Sequence, residues 1–189
     1  GNVAPDLQLD VIGQLKNKPK LILVDTMNFW ITGAHESLMK TLAHANAMVL
    51  NDSEARLLVE HPSLIVCGKK LQEMLSPDGD RIVIIKKGEH GALLFHADHV
   101  FFAPALPLEE VFDPTGAGDT FAGGFIGYLA KARNISFENM KTAIIVGSAL
   151  ASFCVEKFGP NRMKEITKKE IDERLSEFVQ LVNFDIDLV

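Results

Sequence analysis

The chain has 189 residues, is 47% hydrophobic and carries a formal net charge of −6, values near the average for one soluble α/β domain with a sizeable core. Its 19 basic residues are interleaved with 25 acidic ones, so no basic stripe is available to grip nucleic acid. No apolar run approaches the roughly 18 residues of a membrane span, and Gly1-Asn2-Val3-Ala4-Pro5 has no signal-peptide character.

In chain order, residues 6–15 read as a helix, and 20–25 as a short continuous apolar strand covered on both faces. Residues 36–43 have helical spacing, with Leu38 and Leu42 four apart, and 47–50 form the next strand. Helices follow over 52–60 and 63–75, with a third buried strand at 81–86. Residues 92–95 and 100–102 then suggest an antiparallel hairpin at the sheet edge. Three more helices are expected, over 119–133, 136–158 and 168–181, the second stopped by Gly159-Pro160. Alternating strands and helices indicate a doubly wound, mostly parallel sheet, whose ligands collect beyond the C-terminal strand ends. Cys67 and Cys154, far apart and in apolar surroundings, read as reduced core thiols of a cytoplasmic protein.

The most informative segment is Asp113-Pro114-Thr115-Gly116-Ala117-Gly118-Asp119-Thr120-Phe121-Ala122-Gly123-Gly124-Phe125. A turn of small residues at 116–118, just before a helix, leaves backbone N–H groups pointing outward at a positive dipole end, a nest for anions. Asp119 stands at that end, placed to accept a proton, so one segment offers two elements of a phosphoryl-transfer site. An ordinary tight loop and close helix packing explain the glycines equally well. The segment is neither a P-loop nor Gly-x-Gly-x-x-Gly.

Other motifs fall where the strands end. Asn51 and Glu54 fit an N-cap with its capping box, and the same two oxygens suit a water-bridged Mg²⁺. In Lys86-Lys87-Gly88-Glu89-His90-Gly91, the glycines permit close backbone approach and the lysines could offset phosphate charge, although a charged hairpin turn is the plainer reading. Residues 147–159 form a small-residue helix ending in glycine, which close packing alone explains. His90, His96 and His99 lack a metal-ligand spacing and read as surface or edge residues.

The thirteen-residue string closely resembles the second signature of the ribokinase, or PfkB, family of carbohydrate kinases. The resemblance implies a ribokinase-like fold, and, since that family runs longer, the C-terminal portion of such a kinase without its N-terminal part and lid. It implies ATP-dependent phosphorylation of a sugar hydroxyl, with Asp119 as general base and the amides of Gly116, Ala117 and Gly118 as the anion hole. It makes Asn51 and Glu54 the organisers of Mg²⁺, Asp113 and Thr115 ligands of a monovalent cation such as K⁺, and the segment Lys86, Lys87, Gly88, Glu89, Gly91 a border of the nucleotide. Gly147, Ala151 and Gly159 become neighbours of adenine. It also admits a homodimer of the full-length protein. Asp25-Thr26-Met27-Asn28-Phe29-Trp30 departs from the family's Asp-Pro-Asn-x-Arg-like segment and has no Arg. Two other readings stand beside the sugar kinase: a nucleoside kinase of the adenosine type, and a nucleotide-binding module without turnover.

Overall fold

Apolar residues fill positions 47–50 and 82–85 because both segments are strands covered on their two faces. They form β2 (Ala47–Asn51) and β3 (Ile82–Lys86), each with four of five positions buried. β1 (Leu23–Asp25) pairs in parallel with β2, placing Val24 opposite Met48. β2 pairs in parallel with β3, placing Asn51 opposite Lys86 at the C-terminal rim. β4 (Ala92–His96) runs antiparallel on β3, and a two-residue turn, with Ala97 at φ 49°, returns the chain into β5 (His99–Ala103). The order is β1-β2-β3-β4-β5, so the expected hairpin sits at one end of the sheet.

The computed structural model describes residues 1–183. The chain divides into two units, one of Gly1–Gly88 with Ala92–Phe102, the other of Glu89–Gly91 with the residues from Ala103 onward.

The first unit builds its core from the sheet and from α2 (Asn28–Gly33), α3 (His35–Leu42), α4 (Asp52–Val59) and α5 (Leu64–Met74). Leu38, Leu42, Leu58, Cys67 and Leu71 from these helices meet Met48, Leu50, Val83, Ile85 and Phe95 from the strands. Gly68 lets α5 lie close on the sheet, since a Cβ there would come within 2.4 Å of the Phe95 ring. α1 (Pro5–Gly13) packs against α3, and the Thr41 hydroxyl donates to the Pro5 carbonyl at 2.9 Å.

Two expectations change here. The first strand is shorter than 20–25, because the Ile22 carbonyl is taken by the N–H groups of both Asn46 and Ala47, and the Ile22 N–H donates to Asn46 Oδ1. It is also the outermost strand of the described sheet, so it is half-buried and not covered on both faces. Helix α2 was not legible, since its residues were read only as a segment that departs from a motif.

The second unit is helical: α6 (Ala117–Ala132), α7 (Phe137–Cys154), α8 (Asn161–Glu165) and α9 (Lys168–Val182). α6 and α7 cross with their backbones in contact; a Cβ on Gly124 would sit 2.9 Å from Gly147 Cα, and one on Gly147 2.7 Å from the Phe121 carbonyl. Phe121, Phe125, Leu129, Met140, Ile144, Phe153 and Phe178 are buried in this unit. α7 ends at Cys154, short of the expected 158, because the chain leaves the helix where the Val155 carbonyl receives the N–H groups of Phe112 and Asp113. Among the described residues, no helix is long and apolar enough to cross a membrane. Cys67 and Cys154 are both buried free thiols, and burial pushes the Cys67 thiol up.

Candidate functional site

At the strand-end rim of the first unit, the sequence Asn51-Asp52-Ser53-Glu54 closes a complete capping box. Asn51 Oδ1 accepts the Glu54 N–H at 2.8 Å, and Glu54 Oε2 accepts the Asn51 N–H at 2.8 Å. Ser53 Oγ also donates to Asn51 Oδ1 at 2.7 Å, so both lone pairs of that carbonyl are used. Of the expected pair, only Glu54 therefore keeps an oxygen to offer. Glu54 is 7% exposed. Burial pushes its carboxyl above the usual range, the Asn51 N–H pulls it down, the Asp25 charge adds to the rise and Lys86 opposes it, with a net upward shift. Asp25 and Lys86 thus belong to the electrostatics of this rim, and Asp25 was not singled out from sequence as a partner of Glu54. Next to it, the Thr26 hydroxyl is buried without a hydrogen-bond partner.

Beyond β3 the chain makes a 3-10 turn, Gly88–His90. Gly88 (φ 58°) has open space where a side chain would be, while Lys87 Nζ lies 5.1 Å from the centre of the Phe102 ring. Glu89 is exposed. Gly91 answers to packing: it is buried at φ 86°, and a Cβ there would fall 2.0 Å from the Ala103 carbonyl. His96 Nε2 lies 3.0 Å from Asp80 Oδ1, and His90 is exposed. Among the described residues, no group of three or more His, Cys, Asp or Glu could hold a metal ion.

In the second unit the signature is a loop locked in front of a helix. Gly116 adopts φ 84°, a conformation that favours glycine, and serves as the N-cap of α6. The helix thus starts at Ala117, two residues earlier than the spacing indicates. Ala117 N–H donates to the Pro114 carbonyl at 3.2 Å, and Thr120 N–H returns to Gly116 at 2.8 Å. No side chain caps this end, and helix geometry leaves the Gly118 and Asp119 amides without an intrahelical acceptor. Of the expected 116–118 set, the Ala117 amide is thus engaged within the loop, and the Asp119 amide stands open beside that of Gly118. The Asp119 side chain is exposed in the first turn of α6.

Asp113 holds the loop. Its Oδ1 accepts the Thr115 N–H at 2.9 Å and its Oδ2 the Gly159 N–H at 3.1 Å. Hydrogen bonds from Thr115, through backbone and side chain, and then from Gly159 keep this carboxyl below its ordinary range. The Thr115 carbonyl lies 3.7 Å from the Cys154 thiol, which donates to it. Asp113, Thr115 and Gly159 are thus brought together, but as parts of one clamp. Gly147 is buried against Phe121 by the helix crossing, and Ala151, one turn on, is half-buried.

The chain is similar to known kinases. The family described as pfkB family carbohydrate kinase matches residues 7–167. A cytidine kinase of Thermococcus kodakarensis is 30% identical over 136 residues, which cover 69% of this chain and 46% of that protein. An adenosine kinase of Saccharomyces cerevisiae is 27% identical, covering 69% of this chain and 39% of its own. The crystal structure of aminoimidazole riboside kinase from Salmonella enterica, complexed with aminoimidazole riboside and an ATP analogue, superposes with a TM-score of 0.69 at 24% identity, over 82% of this chain and 52% of that one. The chain spans about half the length, or less, of these proteins, and the shared fold is the ribokinase-like α/β sheet flanked by helices. With the family match running from α1 to the start of α9, the chain belongs to the pfkB carbohydrate kinase family.

Proposed function

We propose that this chain carries the phosphoryl-transfer part of an ATP-dependent kinase acting on a hydroxyl group, with Asp119 as the general base. The observation that supports it most is the start of α6. Two backbone donors stand there beside a carboxylate, behind a loop held rigid by Asp113. Donors that need no reorganisation stabilise charge as it develops on the transferred group. The Asp119 carboxylate can take the proton from an attacking hydroxyl, whose oxygen would bond to phosphorus as the donor's terminal P–O bond breaks and the nucleoside diphosphate leaves.

The residues present fit a nucleotide with its magnesium. Each unit by itself offers groups suited to part of this ligand: in the second, the Gly118 and Asp119 amides would meet phosphoryl oxygens; in the first, Lys86 and Lys87 would offset phosphate charge and Glu54 would offer a hydrated metal the oxygen its capping box leaves over. When bound, Mg·ATP supplies the phosphoryl group and the charge neutralisation that its transfer needs. At Asp113 each carboxylate oxygen accepts one backbone N–H, which leaves it a lone pair to offer a monovalent cation such as K⁺.

For the acceptor, a nucleoside hydroxyl is favoured over that of a free sugar. The reasons are the cytidine and adenosine kinases among the relatives, the first at 30% identity. The test is Asp119→Asn in the full-length kinase, assayed with a panel of nucleosides and sugars. Loss of the base should lower kcat by about 10²-fold or more. An unchanged kcat would refute the assignment, and a variant and wild type equally devoid of turnover would favour a binding module.

A further inference from the structure

The end of α7 is gripped from two sides. On one side it holds the signature loop: the Val155 carbonyl accepts Phe112 N–H at 2.9 Å and Asp113 N–H at 3.4 Å, and Gly159 N–H donates to Asp113 Oδ2. On the other side it is held by two guanidinium groups. Arg162 Nε donates to Glu156 Oε2 and an Arg174 terminal nitrogen to Glu156 Oε1, each at 2.7 Å. Arg162 also reaches Glu170, and Arg174 the Ser152 hydroxyl, again at 2.7 Å. Both guanidinium carbons lie over the Phe153 ring, at 5.1 Å and 4.0 Å. Two arginines face two carboxylates at short range, with Glu177 a further 3.5 Å from Arg174, so the cluster has no positive charge left for an anionic ligand. Planar groups that stack on a ring and bridge two partners each fix geometry.

Glu156 is where the two grips meet, being next to Val155 and three residues before Gly159. We propose that Glu156 is a positioning residue for the anion loop. Pinned by Arg162 and Arg174, it sets the 155–159 turn, whose carbonyl and amide hold Phe112 and Asp113, and through Asp113 the Thr115 N–H. It touches no substrate. The inference rests on the reading above in one respect only, that the loop so positioned is the one that meets the phosphoryl group.

Amide hydrogen exchange of this chain, read residue by residue by NMR, tests it. Glu156→Gln keeps an acceptor but removes the charge between two arginines. It should speed exchange at Thr115 and Gly159 by about tenfold or more, as befits losing a charge-assisted bond, while amides in the middle of α6 and α7 change far less. Glu156→Asp, which keeps the charge, should restore part of the protection. Glu173→Gln, whose carboxylate pairs with Lys169 on α9, should leave Thr115 and Gly159 as they are. If Glu156→Gln yields no folded protein, Arg174→Lys gives the same comparison with one contact weakened. The proposal is overturned if Thr115 and Gly159 keep their protection, or lose it only in step with the helices. Titrating the wild type with Mg·ATP separates the two ideas. Unmoved Gly118 and Asp119 resonances would count against the phosphoryl-transfer reading, and the exchange rates would still decide the role of Glu156.

Discussion

Asp113 reaches Gly159 across 46 positions of sequence, its Oδ2 accepting the Gly159 N–H while its Oδ1 accepts the Thr115 N–H. One carboxylate therefore joins the loop before α6 to the turn after α7. Gly159 supports the bond through its own backbone, at φ 59°, which a residue with a Cβ adopts at a cost.

That bond has a pH signature. The Asp113 carboxyl sits below its ordinary range in the folded chain, first because of Thr115 and then Gly159. A depressed folded value adds stability that is fully present above the ordinary carboxyl value of about 3.9 and is lost as pH falls through the folded one. Asp113→Ala should therefore melt below wild type at pH 6, and the gap should close as pH drops toward 3. A gap of constant size from pH 6 to 3 would show that the carboxylate does not hold the loop.

The same sign applies to Glu170, which caps α9 and is held at about 2 by hydrogen bonds from Arg162 and then Thr167. Its contribution should be complete above about 4.5 and fade toward pH 2. Circular dichroism of Glu170→Gln against wild type should show reduced helix stability at pH 6 and convergence near pH 2. Parallel acid melting curves would contradict this.

Much of this was legible in advance, and the rest failed for local reasons. β2 and β3 announced themselves because strands covered on both faces become continuous apolar runs, and the capping box of Asn51 and Glu54 is a four-residue rule. The signature gave Asp119 and the glycine turn, but not the helix start at Ala117, because the αL conformation of Gly116 is a property of the loop Asp113 closes. Close packing is the plain reading of the small residues around Gly147, but the partners that Gly91 and Gly147 press against, the backbones of Ala103 and Phe121, are distant in sequence and no local pattern reveals them. The Glu156 cluster was missed because its members, Ser152, Glu156, Arg162, Glu170 and Arg174, come from three helices and the turn between two of them.

The crossing of α6 and α7 predicts a sharp size limit. A Cβ on Gly147 would lie 2.7 Å from the Phe121 carbonyl, a backbone atom with little freedom to yield. Gly147→Ala should cost about 1–3 kcal/mol by overpacking, measured by urea denaturation. At Gly123, where a Cβ meets nothing within 4 Å, alanine should be neutral or stabilising by up to about 1 kcal/mol through helix propensity. Equal effects at the two positions would mean the helices do not cross as described.

Glu54 gives the prediction that separates function from stability. Its carboxyl is raised chiefly by burial, so the ionised form is disfavoured in the folded chain. A raised folded value means stability that is present below the ordinary glutamate value and lost as pH rises through the folded one. As pH rises through the folded value, the ionised Glu54 therefore weakens the chain unless a cation compensates it. Glu54→Gln can still accept the Asn51 N–H through its amide oxygen, so the capping box survives while the buried charge goes. The variant should melt at or above the wild-type temperature at pH 8 without ligand. On adding Mg·ATP, the wild type should gain about 2.7 kcal/mol at a hundredfold excess over Kd, and the variant clearly less at the same concentrations. A variant that is destabilised without ligand, yet responds to Mg·ATP as fully as the wild type, would make Glu54 a capping residue and nothing more.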